Sequence, residues 1–346
     1  MSSRIRKIGQ LDSIRAFAAF SVILYHFIPE YKLGNFQLGW IGVDVFFVIS
    51  GYLITAILLE QKEFVSQKTL IIKNFIIKRA LRLFPVYYLF ISFFFLLMIL
   101  FSLYVWDSGD WIFFYTYTQN ILFYNEGWKG IQVNHLWTLA VEEQFYICWP
   151  WILILLANKW VIRFLLVLVS VTIFFKCIID SDRIRMLTFY HFDTLGSGAL
   201  IAFLFKREKY EPLHRRFMGI NIYLVLISLL VLFFGTIYSL HQAFIVIPVL
   251  TLSLSLLIGC YYGYGGVVGK VMNSSSIQYL GKISYGLYLF HKPIPYFLKL
   301  ITQRIGIAIN NFLLLFLSLF LVVIISHFSY IFIEKRFLKL KDKYDL

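Results

Sequence analysis

The chain has 346 residues, of which 60% are hydrophobic and only 14% charged, with a mean hydropathy of +0.78. So little polar surface cannot cover a water-soluble body of this size, which excludes a cytosolic enzyme, a disordered tail, a collagen and a disulfide-stapled secreted domain. The composition is that of an all-α polytopic membrane protein, and its net charge of +14 reads as the basic loops of such a protein rather than a nucleic-acid surface.

Segments of roughly 20 apolar residues can span a bilayer as helices. About ten such candidates occur, near 11–28, 40–60, 83–104, 136–157, 160–179, 188–206, 219–237, 242–261, 282–301 and 308–333. They are continuously apolar, so a single helical bundle is expected rather than a membrane barrel. No signal peptide is expected, because the first run, Leu11 to Phe27, has no small-residue cleavage site after it. With the N-terminus in the cytoplasm, most of the 32 Lys and Arg residues fall on cytoplasmic segments, so the expected orientation is N-in and C-in. The connection 61–82 then faces the cytoplasm, and its basic stretch Ile71–Arg82 is expected in the headgroup region. The connection 105–135 faces outward and carries the aromatic run Trp111–Tyr124, too short to span. No repeat or linker divides the chain, so residues 1–346 read as one domain. Cys148, Cys177 and Cys260 form no CxxC and read as small buried hydrophobes, and no pair of histidines or carboxylates has zincin-like spacing on one helix, so no metal is expected.

Ionisable groups at membrane depth are expensive and so point to function. Arg15 and His26 are separated by ten residues, which puts them on one helical stripe about 16 Å apart, Arg15 near the cytoplasmic end and His26 near the outer end. Arg15 taken alone also fits a snorkelling anchor, and His26 taken alone a satisfied core histidine. The fourth span opens with His135-Leu136-Trp137-Thr138 and carries Glu142-Glu143-Gln144 within two turns, at the outer level of His26. A carboxylate near an imidazole can orient the ring and stabilise its cation, whereas a polar contact between helices is the alternative. Glu142 lies seven residues from His135 and shares its face, which favours it over Glu143. Ser50 and Gly51 sit mid-span, where close helix packing is the plain explanation. Lys78, Arg79 and Arg82 form a basic cluster suited to lipid headgroups or to the phosphates of a nucleotide-bearing donor. The ninth span holds Tyr285, Tyr288 and His291.

These segments together resemble the bacterial membrane acyltransferase-3 family. Arg15 and His26 match its arginine–ten residues–histidine motif, Phe46 to Tyr52 its FFxxSGY segment, and Arg79, Arg82 and Pro85 its RxxRxxP segment. Trp137 to Tyr146 matches WSLxxEEQFY with Thr138 in place of serine, and Ile283 to His291 matches the SYGLYLxH segment. Ile333-Glu334-Lys335-Arg336 departs from the family pattern in lacking the usual proline, and no appended esterase-like domain is expected. The resemblance implies acyl transfer, usually acetyl, from cytoplasmic acetyl-CoA as co-substrate to a hydroxyl of a cell-surface glycan or its lipid-linked precursor, at the bacterial cytoplasmic membrane. It leaves a separate periplasmic or extracellular transferase open as a partner. On this reading Arg15, Arg79, Arg82 and Lys78 serve the donor level. His26 acts at the acceptor level as general base or transient acyl carrier, with Glu142 or Glu143 supporting it. Ser50, Tyr285 and His291 would line the passage.

The rival reading is an exporter of a lipid-linked sugar, which would use buried His and Glu for binding but has no need of donor-level arginines. Arg79→Ala, compared with wild type at equal membrane abundance, separates the two: acyl transfer should be lost and membrane insertion unchanged.

Overall fold

A computed structural model describes residues 8–28, 39–101, 103, 107, 109–128, 130, 132–179, 181–206, 211–237 and 242–344, with backbone alone over 211–218, 235–237 and 242–244. The N-terminal basic tail used in the orientation argument lies outside the described residues. All regular structure among the described residues is helical. In chain order the helices are α1 (Gly9–Phe27), α2 (Gly39–Phe64), α3 (Lys68–Leu100), α4 (Trp111–Tyr115), α5 (Gln119–Glu126), α6 (Trp137–Leu155), α7 (Asn158–Ile178), α8 (Phe192–Phe205), α9 (Glu211–Ile237), α10 (Gln242–Tyr262), α11 (Gly266–Met272), α12 (Ser275–Lys282), α13 (Ser284–Phe290), α14 (Pro293–Arg304) and α15 (Asn311–Ser329).

Five helical runs among the described residues are long and apolar enough to cross a membrane: α2, α3, α7, Ile245–Tyr262 within α10, and Asn311–Tyr344 beginning with α15. Of the other expected spans, 188–206 and 282–301 fall on shorter or broken helices, whereas 219–237 lies on the 27-residue α9. α1 and α6 have 19 residues each and carry the polar groups, Asp12 and Arg15 or Glu142 to Gln144, that lower their hydropathy. The ninth expected span is two helices, α13 and α14, because Pro293 and Pro295 cannot continue α13 and the chain turns at His291 and Lys292. In the last run a π-helical turn, Tyr330–Glu334, buries Glu334.

Two sequence expectations change. Ile71–Arg82 is not a separate surface stretch but the first part of α3, which runs unbroken for 33 residues through Pro85. At about 1.5 Å per residue α3 is about 50 Å long, well beyond a hydrocarbon core of about 30 Å, so its ends can project into the headgroups. Of the cysteines only Cys260 is buried, whereas Cys148 and Cys177 lie on exposed helix surfaces.

The chain forms two compact units. The first comprises residues 1–68, 150–181 and 189–284. Its core is α2, packed on α1 and α8 through glycines. Gly42 meets the Ala18 carbonyl and Ser21, while Gly51 abuts the Leu195 carbonyl and Gly198 the Val48 carbonyl. Side chains at Gly51 and Gly198 would collide with the facing backbone, which is why these two helices approach so closely. The Ser50-Gly51-Tyr52 segment is therefore paired with Gly196-Ser197-Gly198, a partner that the sequence reading missed. A buried ion pair joins the last turn of α7 to the first turn of α8, Lys176 Nζ lying 2.7 Å from Asp193 Oδ2. A cation at a helix C-terminus and an anion at an N-terminus each complement the local dipole. The start of α1 is tied down by Gln10, which exchanges two hydrogen bonds with the Tyr264 backbone, and by Ser13, which donates to the Met272 carbonyl at 2.6 Å.

The second unit comprises residues 69–149, 182–188 and 285–346. Its core is aromatic. Tyr87 and Phe94 of α3, Phe114 of α4 and Phe123 of α5 are fully buried, and the Tyr117 ring stacks on Tyr87 at 4.3 Å. The run Trp111–Tyr124 thus folds as two short helices against α3, with the Tyr87 hydroxyl donating to the Phe114 carbonyl at 2.9 Å. Overpacking a closed helix contact costs about 1–3 kcal/mol. Gly51→Ala and Gly198→Ala should each lower the thermal midpoint of the purified protein, while Gly219→Ala, where a side chain would meet open space, should not.

Candidate active site

The residues singled out from the sequence fall in both units, and each unit organises its own set. In the first unit, α1 is one continuous helix, so Arg15 and His26 do lie on a common stripe. Arg15 is half-buried, with Nη1 3.9 Å from Asp12 Oδ1 one turn earlier. His26 is exposed, and its Nδ1 lies 2.9 Å from the Val22 carbonyl. A carbonyl only accepts, so Nδ1 carries the proton in the neutral ring and Nε2 keeps the lone pair. That tautomer is the one a general base or acyl-accepting nucleophile requires. The Tyr25 ring stands edge-on to the imidazole at 5.1 Å and limits its rotation. Ser50 is half-buried on α2, beside the glycine contact with α8. Also in this unit, Asp44 Oδ1 lies 3.9 Å from His191 Nδ1, whose ring packs on Phe47, a pair that sequence spacing could not reveal.

The second unit gathers Lys78, Arg79, Arg82, Glu142, Glu143, Tyr285 and His291. Arg79 of α3 places its guanidinium 5.2 Å over the Tyr146 ring of α6 and 5.5 Å over that of Phe75. Tyr146 lies one turn beyond Glu142, and both Glu142 and Glu143 are within electrostatic reach of the Arg79 cation. The sequence reading put Arg79 at a donor level and the glutamates at a separate acceptor level. Within this unit they are instead neighbours, because α3 begins early enough to carry Arg79 alongside α6. The guanidinium offsets two carboxyls that would otherwise be costly in an apolar helix. Glu143 is the more buried of the two, at 4% exposure, and its Oε2 has no hydrogen-bond partner among the described residues. Lys78 and Arg82 flank Arg79 and are half-buried, so three cations lie within two turns of α3.

The tyrosines of α13 meet both α3 and α6. Tyr285 donates to the Leu83 carbonyl at 3.1 Å and is in electrostatic reach of Glu142, Glu143 and Glu334. Tyr288 pairs its hydroxyl with Thr138 Oγ1 at 2.8 Å and donates to the His135 carbonyl at 3.1 Å. Thr138, in the place where the family resemblance expects serine, therefore retains the working hydroxyl. His291 is fully buried at the turn after α13, with Nδ1 2.6 Å from the Tyr288 carbonyl and its ring 4.6 Å from that of His135. Lys292 closes this layer by donating to Asn134 Oδ1 at 2.6 Å. The sequence reading singled out neither Glu334 nor Tyr117 as a site residue. Glu334 could have been found as an acid in the last apolar run, but the placing of Tyr117 leaves no pattern in the sequence. Elsewhere in the unit, carboxylate oxygens of Asp107, Asp110 and Glu126 lie within 4.8 Å of one another.

A family model described as "Acyltransferase domain", of the acyltransferase-3 group, matches residues 8–331. Among curated proteins, the peptidoglycan O-acetyltransferase OatA of Listeria monocytogenes is 31% identical over 94% of this chain and 55% of its own length. A Staphylococcus aureus protein provisionally named an O-acetyltransferase is 31% identical over 97% of this chain and 58% of its own. A Bacillus subtilis protein, YrhL, provisionally named a peptidoglycan O-acetyltransferase, is 29% identical over 95% and 55% respectively. The chain thus spans a little over half the length of these relatives. No solved structure matches it.

Deleting one member of a buried hydrogen-bonded pair typically costs about 1–3 kcal/mol. Tyr288→Phe, which removes the bond to His135 and leaves Thr138 only its own bond to that carbonyl, should lower the thermal midpoint of the protein in detergent. Tyr296→Phe, at a half-buried ring on α14, should leave it unchanged.

Proposed function

The chain belongs to the acyltransferase-3 family, and from that premise we propose that it is a membrane O-acetyltransferase. It moves an acetyl group from cytoplasmic acetyl-CoA to a hydroxyl of a cell-envelope glycan. The observation that carries this reading is the family match across residues 8–331, with the His26 Nδ1 contact to the Val22 carbonyl, on a helix shared with Arg15, in support. The peptidoglycan O-acetyltransferase name of the Listeria monocytogenes relative, and the provisional one of the Bacillus subtilis relative, make a cell-wall glycan the acceptor class to test first.

In this reading about ten spans, N-in and C-in, place the chain in the bacterial cytoplasmic membrane as one acyltransferase domain. Lys78, Arg79 and Arg82 hold the phosphates of the donor, for which their shared helix and positive charge suit them. Arg79 serves two demands, since it also neutralises Glu142 and Glu143. His26 Nε2 takes the proton of the acceptor hydroxyl, or takes the acetyl group itself by attack on the thioester carbonyl with loss of the CoA thiolate. Glu142 is the principal carboxylate, with Glu143 second. Ser50, Tyr285 and His291 are passage-lining candidates, each within its own unit, and Arg15 serves the donor level on the His26 helix. A separate transferase outside the membrane can complete delivery to the final acceptor.

Mild alkaline release of ester-linked acetate from envelope glycan tests the reading, in cells expressing wild type or His26→Ala at equal membrane abundance. The expected result is acetate from wild type alone, a loss of about 100-fold or more in the variant, as for removal of a general base. Equal acetate from both would remove His26 from the chemistry, and no acetate or other acyl ester from wild type would favour the exporter.

A further inference from the structure

Gln144 follows the two glutamates on α6, but its side chain is used to hold the aromatic connection. Its Nε2 donates to the Tyr117 carbonyl at 3.0 Å and to Asn120 Oδ1 at 2.9 Å. Its Oε1 accepts from the Thr188 hydroxyl and, at 3.4 Å, from Asn120 Nδ2. Tyr117, in the turn between α4 and α5, has φ 53° and is the only non-glycine residue with positive φ among the described residues. A bulky residue in that region is strained and persists only where its surroundings hold it. Here the Gln144 amide grips the backbone, while Tyr87 and Phe84 trap the ring between stacking distances of 4.3 and 5.5 Å.

The strained turn delivers one polar atom. The Tyr117 hydroxyl is buried, with the residue 5% exposed, and has no hydrogen-bond partner among the described residues. Glu143, next to Gln144 and within electrostatic reach of Tyr117, has the same unmet requirement at Oε2. One of these atoms is a donor and the other an acceptor. Buried polar groups are satisfied in all but a few cases, so two complementary ones in one cluster call for a ligand that both gives and takes a hydrogen bond.

We propose that the Tyr117 phenol and the Glu143 carboxylate form a hydroxyl-binding subsite for the sugar acceptor, and that Gln144 is the positioning residue that holds the Tyr117 turn in place. This rests on the O-acetyl-transfer reading given above. A sugar hydroxyl donates to Glu143 Oε2 and accepts from Tyr117 Oη.

The test uses the purified full chain with radiolabelled acetyl-CoA and soluble peptidoglycan strands, recording acetyl transfer to glycan and acetate release to water separately. Tyr117→Phe keeps the ring stack and removes only the hydroxyl, so its thermal midpoint should match wild type. The expected result is a KM for glycan raised about tenfold or more, with the KM for acetyl-CoA and the release to water within about twofold. Gln144→Ala should raise the glycan KM in the same way, and adding Tyr117→Phe to it should cost little more, because the first change already releases the second residue. An unchanged glycan KM in Tyr117→Phe with an active wild type overturns this inference alone. So does an equal rise in both KM values, which would mean a merely structural role. A wild type that transfers no acetyl to glycan removes the acetyl-transfer reading and this inference with it.

Discussion

Two adjacent carboxyls in an otherwise apolar helix impose the constraint around which the second unit is built. Glu142 and Glu143 cannot be left unpaired in a low-dielectric setting, and the remedy is Arg79 on the neighbouring helix. That remedy requires α3 to start well before its apolar stretch, which accounts for a 33-residue helix that passes through a proline. It also requires α6 to lie beside the arginine for more than one turn, and the cation–π contact with Tyr146 records that register. Tyrosines then fill the remaining space, because phenols tolerate burial better than charges and still offer hydrogen bonds.

The first unit solves a different problem. Its catalytic candidate sits on a helix whose inner face is alanine-rich, so α1 and α2 can approach closely at Ala18 and Gly42. The same device recurs where Gly51 and Gly198 interlock. Without a hydrophobic drive between helices in lipid, such close approach and buried ion pairs such as Lys176–Asp193 supply much of the cohesion. Rigidity of this kind suits an imidazole whose proton position is dictated by its own helix, through the Val22 carbonyl.

The chemistry-bearing residues are carried mostly on helices rather than loops, with His291 and Tyr117 at the exceptions. Both exceptions are enforced, His291 by the prolines that end α13 and Tyr117 by the Gln144 amide. Positions that break regular structure under such constraint are where a fold can aim a side chain at a ligand.

By itself the sequence determined the class of the molecule, because composition and long apolar runs admit few alternatives to a helical membrane protein. It also determined the common stripe of Arg15 and His26, since 3.6 residues per turn relates positions within one helix without knowledge of any other. The ordered motifs marked the family. Contacts between helices were beyond it: that Arg79 meets Tyr146, that Gly51 meets Leu195, and that Tyr288 meets Thr138. Hydrophobic periodicity says which residues share a face, not which face of which neighbour they meet. The left-handed turn at Tyr117 and the break after Phe290 were likewise decided by tertiary structure, where packing and hydrogen bonds outweigh local preference.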